Sequence, residues 1–146
     1  MKNLENDRLI LGALENCDLP ALGIINLQMR IDTGAKTSSL HVDQIKKVNR
    51  SGVTWITFDL HPDIYNTDTT VKCEAPLHDI RRVKSSNGVS EERYVIETDL
   101  CIAEHTWPIE ITLTDRSEMS NLMLLGRQGM GKRVYVDPSK NFLASK

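Results

Sequence analysis

Asp32, Thr33, Gly34 and Ala35 follow one another at the end of an alternating apolar run. An acid, a small hydroxyl residue and a glycine are a poor way to build a core. They are a good way to hold a carboxylate at the tip of a tight loop. Gly34 lets the backbone fold back closely, and Thr33 offers a hydroxyl that can brace the turn. A second short element, Leu124, Leu125, Gly126 and Arg127, lies near the other end of the chain. Taken singly, it reads as a core strand and its turn.

Other arrangements of reactive residues are weaker. Gly126 to Lys132 fits the spacing of a phosphate-binding loop, and a strand precedes it. Arg133 stands where Mg²⁺ binding wants Ser or Thr. Few residues follow Lys132, and Pro138 is among them, so no long helix can start there and point its positive end at a phosphate. Direct ATP use is not expected. His41, His61, His78 and His105 share no short spacing, and neither H-E-x-x-H nor C-x-x-C occurs. Cys73 and His78 lie five apart but bring no oxyanion-forming motif with them.

The elements that must carry the Asp32 loop are mostly strands. In residues 23–32, Ile25, Leu27, Met29 and Ile31 fall on one face, with Asn26, Gln28, Arg30 and Asp32 on the other. Residues 53–60 place Ile56, Phe58 and Leu60 opposite Val53, Trp55 and Thr57. Residues 92–103 and 106–115 read as a strand pair, the second with Trp107, Ile109, Ile111 and Leu113 on one side. Residues 121–126 have the length of a buried strand, and 133–137 form a later one. Between them, 127–132 suit at most a turn or two of helix. Residues 37–48 are read as a short helix capped by Thr37 or Ser38. Ser85 to Gly88 carries Asn-Gly, a hairpin signal. The expectation is a mainly β chain folded into a barrel or sandwich.

Composition narrows the class. With 146 residues, 40% hydrophobic, 26% charged and net charge −2, the length fits one domain. Nothing in that balance suggests nucleic acid or an anionic membrane as partner. No apolar run approaches the roughly 18 residues of a membrane helix. The polar, acidic N-terminal stretch does not read as a secretory leader. Cys17, Cys73 and Cys101 are odd in number and far apart, as free thiols in a reducing compartment would be. A cytoplasmic location is expected.

The Asp-Thr-Gly-Ala loop resembles the active-site loop of aspartic proteases, which follows two apolar residues; here Ile31 fits and Arg30 departs. In that fold a later apolar-apolar-Gly strand crosses near the loop, and Leu124, Leu125 and Gly126 match it in the expected order. Arg127 stands where retroviral-type members often carry arginine. Residues 19–24, 31–41, 81–96, 112–128 and 136–143 together are similar to a bacterial retropepsin-like family. Its members are often labelled ATP-dependent zinc proteases and are linked to RimK-type glutamate ligases. One branch, RimB-like, is associated with removing glutamates added to a ribosomal protein.

The resemblance implies a single retropepsin-like domain over residues 1–146, a closed barrel with short helical segments. It implies an aspartic endopeptidase whose catalytic loop is Asp32, Thr33 and Gly34. Such enzymes need two carboxylates around one water, and the chain has one Asp-Thr-Gly; Asp115 lacks the Thr-Gly that would make it a second. The chemistry therefore predicts a homodimer with one Asp32 from each copy. A hairpin tip at Ser86, Asn87 and Gly88 is the flap candidate. Ala35, Lys36, Arg81, Arg93, Arg116, Gly126 and Arg127 are the substrate-binding candidates. A peptide or glutamylated protein would be read by guanidinium forks, with Arg82 in the same arginine group. A functional link to an ATP-grasp glutamate ligase follows. No cofactor is expected, and zinc enters only through the family label. Two alternatives stay open: a non-catalytic module binding an acidic peptide, and a metal-dependent hydrolase using Asp32 with His41.

Overall fold

The computed structural model describes residues 8–62, 69–84, 88–115 and 121–145. The strands are β1 (Leu9–Leu11), β2 (Leu14–Leu19), β3 (Ile24–Ile31), β4 (Ser38–His41), β5 (Asp43–Arg50) and β6 (Val53–Leu60). They continue with β7 (Val71–Pro76), β8 (Asp79–Lys84), β9 (Ser90–Ile102), β10 (His105–Thr114) and β11 (Met123–Leu125). A single helical turn, α1 (Arg127–Met130), precedes β12 (Val134–Val136). No helix among the described residues is long and apolar enough to cross a membrane.

The main sheet runs β10-β4-β11-β3-β2-β9-β8, and a further β9–β10 pairing closes it into a barrel. Closure removes the open edges that a sheet of this size otherwise presents. A three-stranded sheet, β5-β6-β7, packs beside the barrel, and β1 pairs with β12 in parallel. The expected alternation fills the core. Ile56, Phe58 and Leu60 are buried from β6, and Trp107, Ile109, Ile111 and Leu113 from β10. The fold class is the mainly β closed barrel expected from the sequence.

Two expectations fail locally. Residues 37–48 form no helix: they are β4 and the start of β5. Ser38, Ser39 and Leu40 are all buried between β10 and β11, so tertiary pairing overrides the cap signal of Thr37 and Ser38. In β3, Leu27, Met29 and Ile31 are buried as expected, but Ile25 is 76% exposed and Ile24 takes its place. The cause is a register shift in β2 between Cys17 and Leu19, opposite Asn26 at φ 59°. Asn tolerates that left-handed backbone, and its N–H donates to Asp18 Oδ1 at 2.7 Å.

Glu15 is the buried charge of the fold. It alternates with Cys17 and Leu19 on the inner face of β2, fully shielded from solvent. Its carboxylate accepts N–H bonds from Gly12 at 2.7 Å, Leu143 at 2.9 Å and Ser145 at 2.9 Å, with the Ser145 hydroxyl at 2.6 Å. It thereby pins residues 143–145 to the barrel. Burial alone raises its pKa, but the Ser145 hydroxyl and the backbone donors outweigh burial and leave it below the ordinary glutamate value. A depressed folded value stabilises the native state above the unfolded pKa, and that contribution is lost as pH falls through the folded one. Glu15→Gln turns an amide N–H toward backbone donors. It is expected to destabilise by about 1–3 kcal/mol in urea titrations at neutral pH. The difference from wild type should shrink as pH drops below the glutamate range. A variant as stable as wild type at neutral pH would show that this clamp contributes nothing.

Candidate active site

The strand register explains why Asp32 sits where it does. β3 runs parallel to β11, with Ile31 beside Leu125, and the Asp32 N–H donates to the Leu125 carbonyl at 2.9 Å. The chain then leaves the sheet. The half-buried Asp32 carboxylate accepts the Gly34 N–H on Oδ1 at 2.9 Å, and the Ala35 N–H returns to the Asp32 carbonyl at 3.2 Å. Gly34 has no positive φ; a Cβ there would lie a tight 3.2 Å from Asp32 Oδ1, so its bareness leaves room for that carboxylate oxygen.

The second motif locks the first. The N–H groups of Arg127 and Gln128 donate to the carbonyls of Ala35 at 2.9 Å and Lys36 at 2.8 Å. The Arg127 guanidinium donates from Nη1 to the Thr33 carbonyl at 3.0 Å. Gly126 lies against the loop so closely that a Cβ would meet the Thr37 carbonyl carbon at 2.7 Å. The bracing of Thr33 thus runs through its carbonyl; its exposed hydroxyl makes no hydrogen bond among the described residues. Sequence reading missed Ser38, whose buried hydroxyl accepts the Gly126 N–H at 3.0 Å, and Gln128, whose side chain accepts the Glu110 N–H at 3.0 Å. The one signal for Ser38 was its place directly after the loop.

The arginine candidates of β8 and β9 are held in ion pairs, and Arg81 reaches the lock through Glu110, the partner of Gln128. Arg81 spans Asp79 at 2.8 Å and Glu110 at 3.0 Å, while His78 reaches Glu110 at 3.2 Å. The Arg81 hydrogen bond, ahead of its charge and His78, holds Glu110 below the usual carboxylate range against the effect of burial. Arg93 is paired with Glu91 at 3.1 Å and Arg82 with Glu92 at 3.6 Å. Lys36 is exposed. β8 and β9 form the expected hairpin, with Lys84 opposite Ser90. Its candidate tip residues Ser86 and Asn87 lie outside the described residues, as does Arg116. Gly88 is described, with φ 87°.

Metal and thiol chemistry find little footing. Leu40 on β4 is level with Met123, which is level with Met29, so His41 lies level with Gln28 in the middle of β3 and Asp32 beyond its end. That offset is about four residues, or roughly 13 Å along the strand, with two further strand spacings across it. Among the described residues no three His, Cys, Asp or Glu side chains are gathered closely enough to hold a metal ion. Burial pushes the Cys73 thiol up to about 11, far from a reactive thiolate. Two glycines of the 126–132 stretch, Gly126 and Gly129, serve packing: a Cβ on Gly129 would strike Leu125 Cδ1 at 2.8 Å. The α1 turn is too short for a phosphate-binding helix.

Comparison with known proteins decides the family. The RimB-like family, described as retropepsin-like aspartic endopeptidase RimB, matches residues 10–146. The chain belongs to this family. The RimB-like chain is also 41% identical over 139 residues to a protein of Shewanella halifaxensis named "Probable alpha-L-glutamate ligase", covering 95% of this chain and 30% of that one. A Desulfotalea psychrophila protein of the same name is 43% identical over 130 residues, covering 89% and 28%. The chain thus spans under a third of the length of these curated relatives. A crystal structure of a Legionella pneumophila protein of unknown function superposes with TM-score 0.77 at 24% identity, covering 92% of this chain and 97% of that one. It supports the fold.

Proposed function

We propose that this RimB-like chain is an aspartic peptidase, active as a homodimer, that cleaves glutamate residues from a glutamylated protein. The observation that carries the reading is the locked Asp32 loop. One half-buried carboxylate is held by its own Gly34 N–H and by a backbone clasp to Leu125, Ala35 and Arg127. One carboxylate is half of the required chemistry. A second copy supplies the other, two carboxyls about 3 Å apart share a single proton, and the pair titrates as a unit. The ionised member takes a proton from water as it attacks the scissile carbonyl, and the protonated member hydrogen-bonds the carbonyl oxygen. The exposed Thr33 hydroxyl is available to the partner copy. The glutamate ligase names of the relatives support a substrate bearing added glutamates and a working link to an ATP-grasp ligase. Both fit a cytoplasmic setting.

The test is concentration. Cleavage of a glutamylated peptide, followed by liquid chromatography, is expected to fall per chain on dilution in step with the dimer fraction measured by sedimentation. A monomer that keeps full specific activity would sink the two-carboxylate mechanism.

A further inference from the structure

One cleft sets three fixed cations, Arg8, Lys132 and Arg133, against a single acid. It is lined by Arg8, Leu9, Glu104, His105, Thr106, Trp107, Lys132 and Arg133 and has a volume of about 410 Å³. Arg50, Arg81, Arg82 and Arg93 are all paired with carboxylates. Among the described residues Arg8, His105, Lys132 and Arg133 are in no ion pair, and Glu104 is the one acid lining the cleft. A second cleft of about 550 Å³ beside β5-β6-β7 is balanced instead, with Lys46 and Lys72 against Asp59 and Glu74, and Lys72 already at 3.5 Å from Asp59.

The cations are held in place by aromatic faces. The Arg133 guanidinium lies 5.4 Å from the centre of the Trp107 ring, and Arg8 lies 4.7 Å from that of Tyr135. Stacking fixes a guanidinium plane while leaving edge N–H groups for an anion. Trp107 is itself fixed, donating its indole N–H to the Gly129 carbonyl at 2.7 Å. The cleft therefore stands on α1, the turn whose first residue braces Thr33. Along β10, Trp107 is four positions from Ile111, the neighbour of Ser38, so the cleft lies roughly 13 Å past the level of Ser38.

We infer that this cleft is a docking site for an acidic polypeptide segment, engaging carboxylates of the substrate away from the scissile bond. This rests on the reading that the substrate is glutamate-rich, and adds to it where that chain is held. Several carboxylates on one extended chain match several cations distributed along one cleft, in a protein whose own net charge is −2.

The test uses the full chain carrying Asp32→Asn, with fluorescein-labelled hexaglutamate as probe and anisotropy as readout. Lys132→Glu/Arg133→Glu is expected to raise Kd at least about tenfold, and Lys46→Glu less than about twofold. The neutral Arg8→Gln should weaken binding without reversing any charge, and thermal melts identify any variant that fails to fold. Unchanged affinity in the double reversal overturns the site. So does an equal loss in Lys46→Glu, or hexaglutamine binding as tightly as hexaglutamate. Displacement by ATP, with the same variants losing ATP binding, assigns the cleft to phosphates and overturns the peptide. The two readings fail separately. If no Asp32-dependent cleavage exists but the double reversal abolishes binding, the peptidase reading falls and the docking site stands. If cleavage needs Asp32 and the double reversal leaves KM unchanged, the docking site falls and the peptidase stands.

Discussion

Asp32→Asn is expected to lower cleavage of a glutamylated peptide by about a thousandfold, the scale of a lost acid–base group. In the proposed homodimer the substitution removes both carboxyls at once, because each copy would supply the same residue. It changes little else. The Asn side-chain oxygen can keep the Gly34 N–H that Oδ1 now accepts at 2.9 Å, and the backbone clasp from Asp32 N–H to Leu125 is untouched. The melting temperature should stay within about 3 °C of wild type, as for surface changes that leave packing intact. Sedimentation should still show the dimer. The pattern of lost turnover with retained fold and assembly separates a catalytic acid from a structural one. Full cleavage by the variant would leave the non-catalytic module that binds an acidic peptide as the better account.

The β architecture was legible where its strands alternate, in β6 of the three-stranded sheet and β10 of the barrel. Ile56, Phe58 and Leu60 announce one buried face, and Trp107, Ile109, Ile111 and Leu113 another, and both are buried as expected. What alternation does not carry is a change of phase. The register shift beside Asn26 moves Ile25 outward, and its one mark in β3 is Asn26 itself, a residue that tolerates positive φ. Residues 37–48 misled for a related reason: Thr37 and Ser38 have the chemistry of helix caps, and only the pairing of Ser38, Ser39 and Leu40 with β10 and β11 makes this stretch buried strand. Glu15 shows the same limit from the other side. A charge at an inward position argues against burial until the donors at 143–145, distant in sequence, are seen to meet it. For the site, residue order located the loop and its crossing strand. The contacts that join them are largely backbone, from Arg127 and Gln128 to Ala35 and Lys36, and backbone contacts leave little trace in residue type.

That joint yields the second large effect. Gly126→Ala adds one methyl group where none fits: its carbon would stand 2.7 Å from the Thr37 carbonyl carbon, 2.9 Å from its oxygen and 3.0 Å from the Ala35 oxygen. All three are backbone atoms, so no side chain can swing aside, and the strand after Met123 must move away from the Asp32 loop. Overpacking of this kind costs about 1–3 kcal/mol. The larger consequence is positional. Retreat of residue 126 loosens the bonds of Arg127 to Ala35 and Gln128 to Lys36, and with them the Nη1 contact to Thr33. A shift near 1 Å in a catalytic group can cost about a hundredfold in rate. Turnover of Gly126→Ala should therefore fall by about that factor in kcat, with KM changing much less. Gly129→Ala is the comparison. Its nearest obstacle is Leu125 Cδ1 at 2.8 Å, the end of a flexible side chain, so the loop has less reason to move. The expected order of activity is wild type, then Gly129→Ala, then Gly126→Ala. If Gly126→Ala instead matches wild type in both melting temperature and kcat, the close approach of the two motifs is not what holds Asp32 in place. The carboxylate would then owe its position to the loop's own bonds with Gly34 and Ala35.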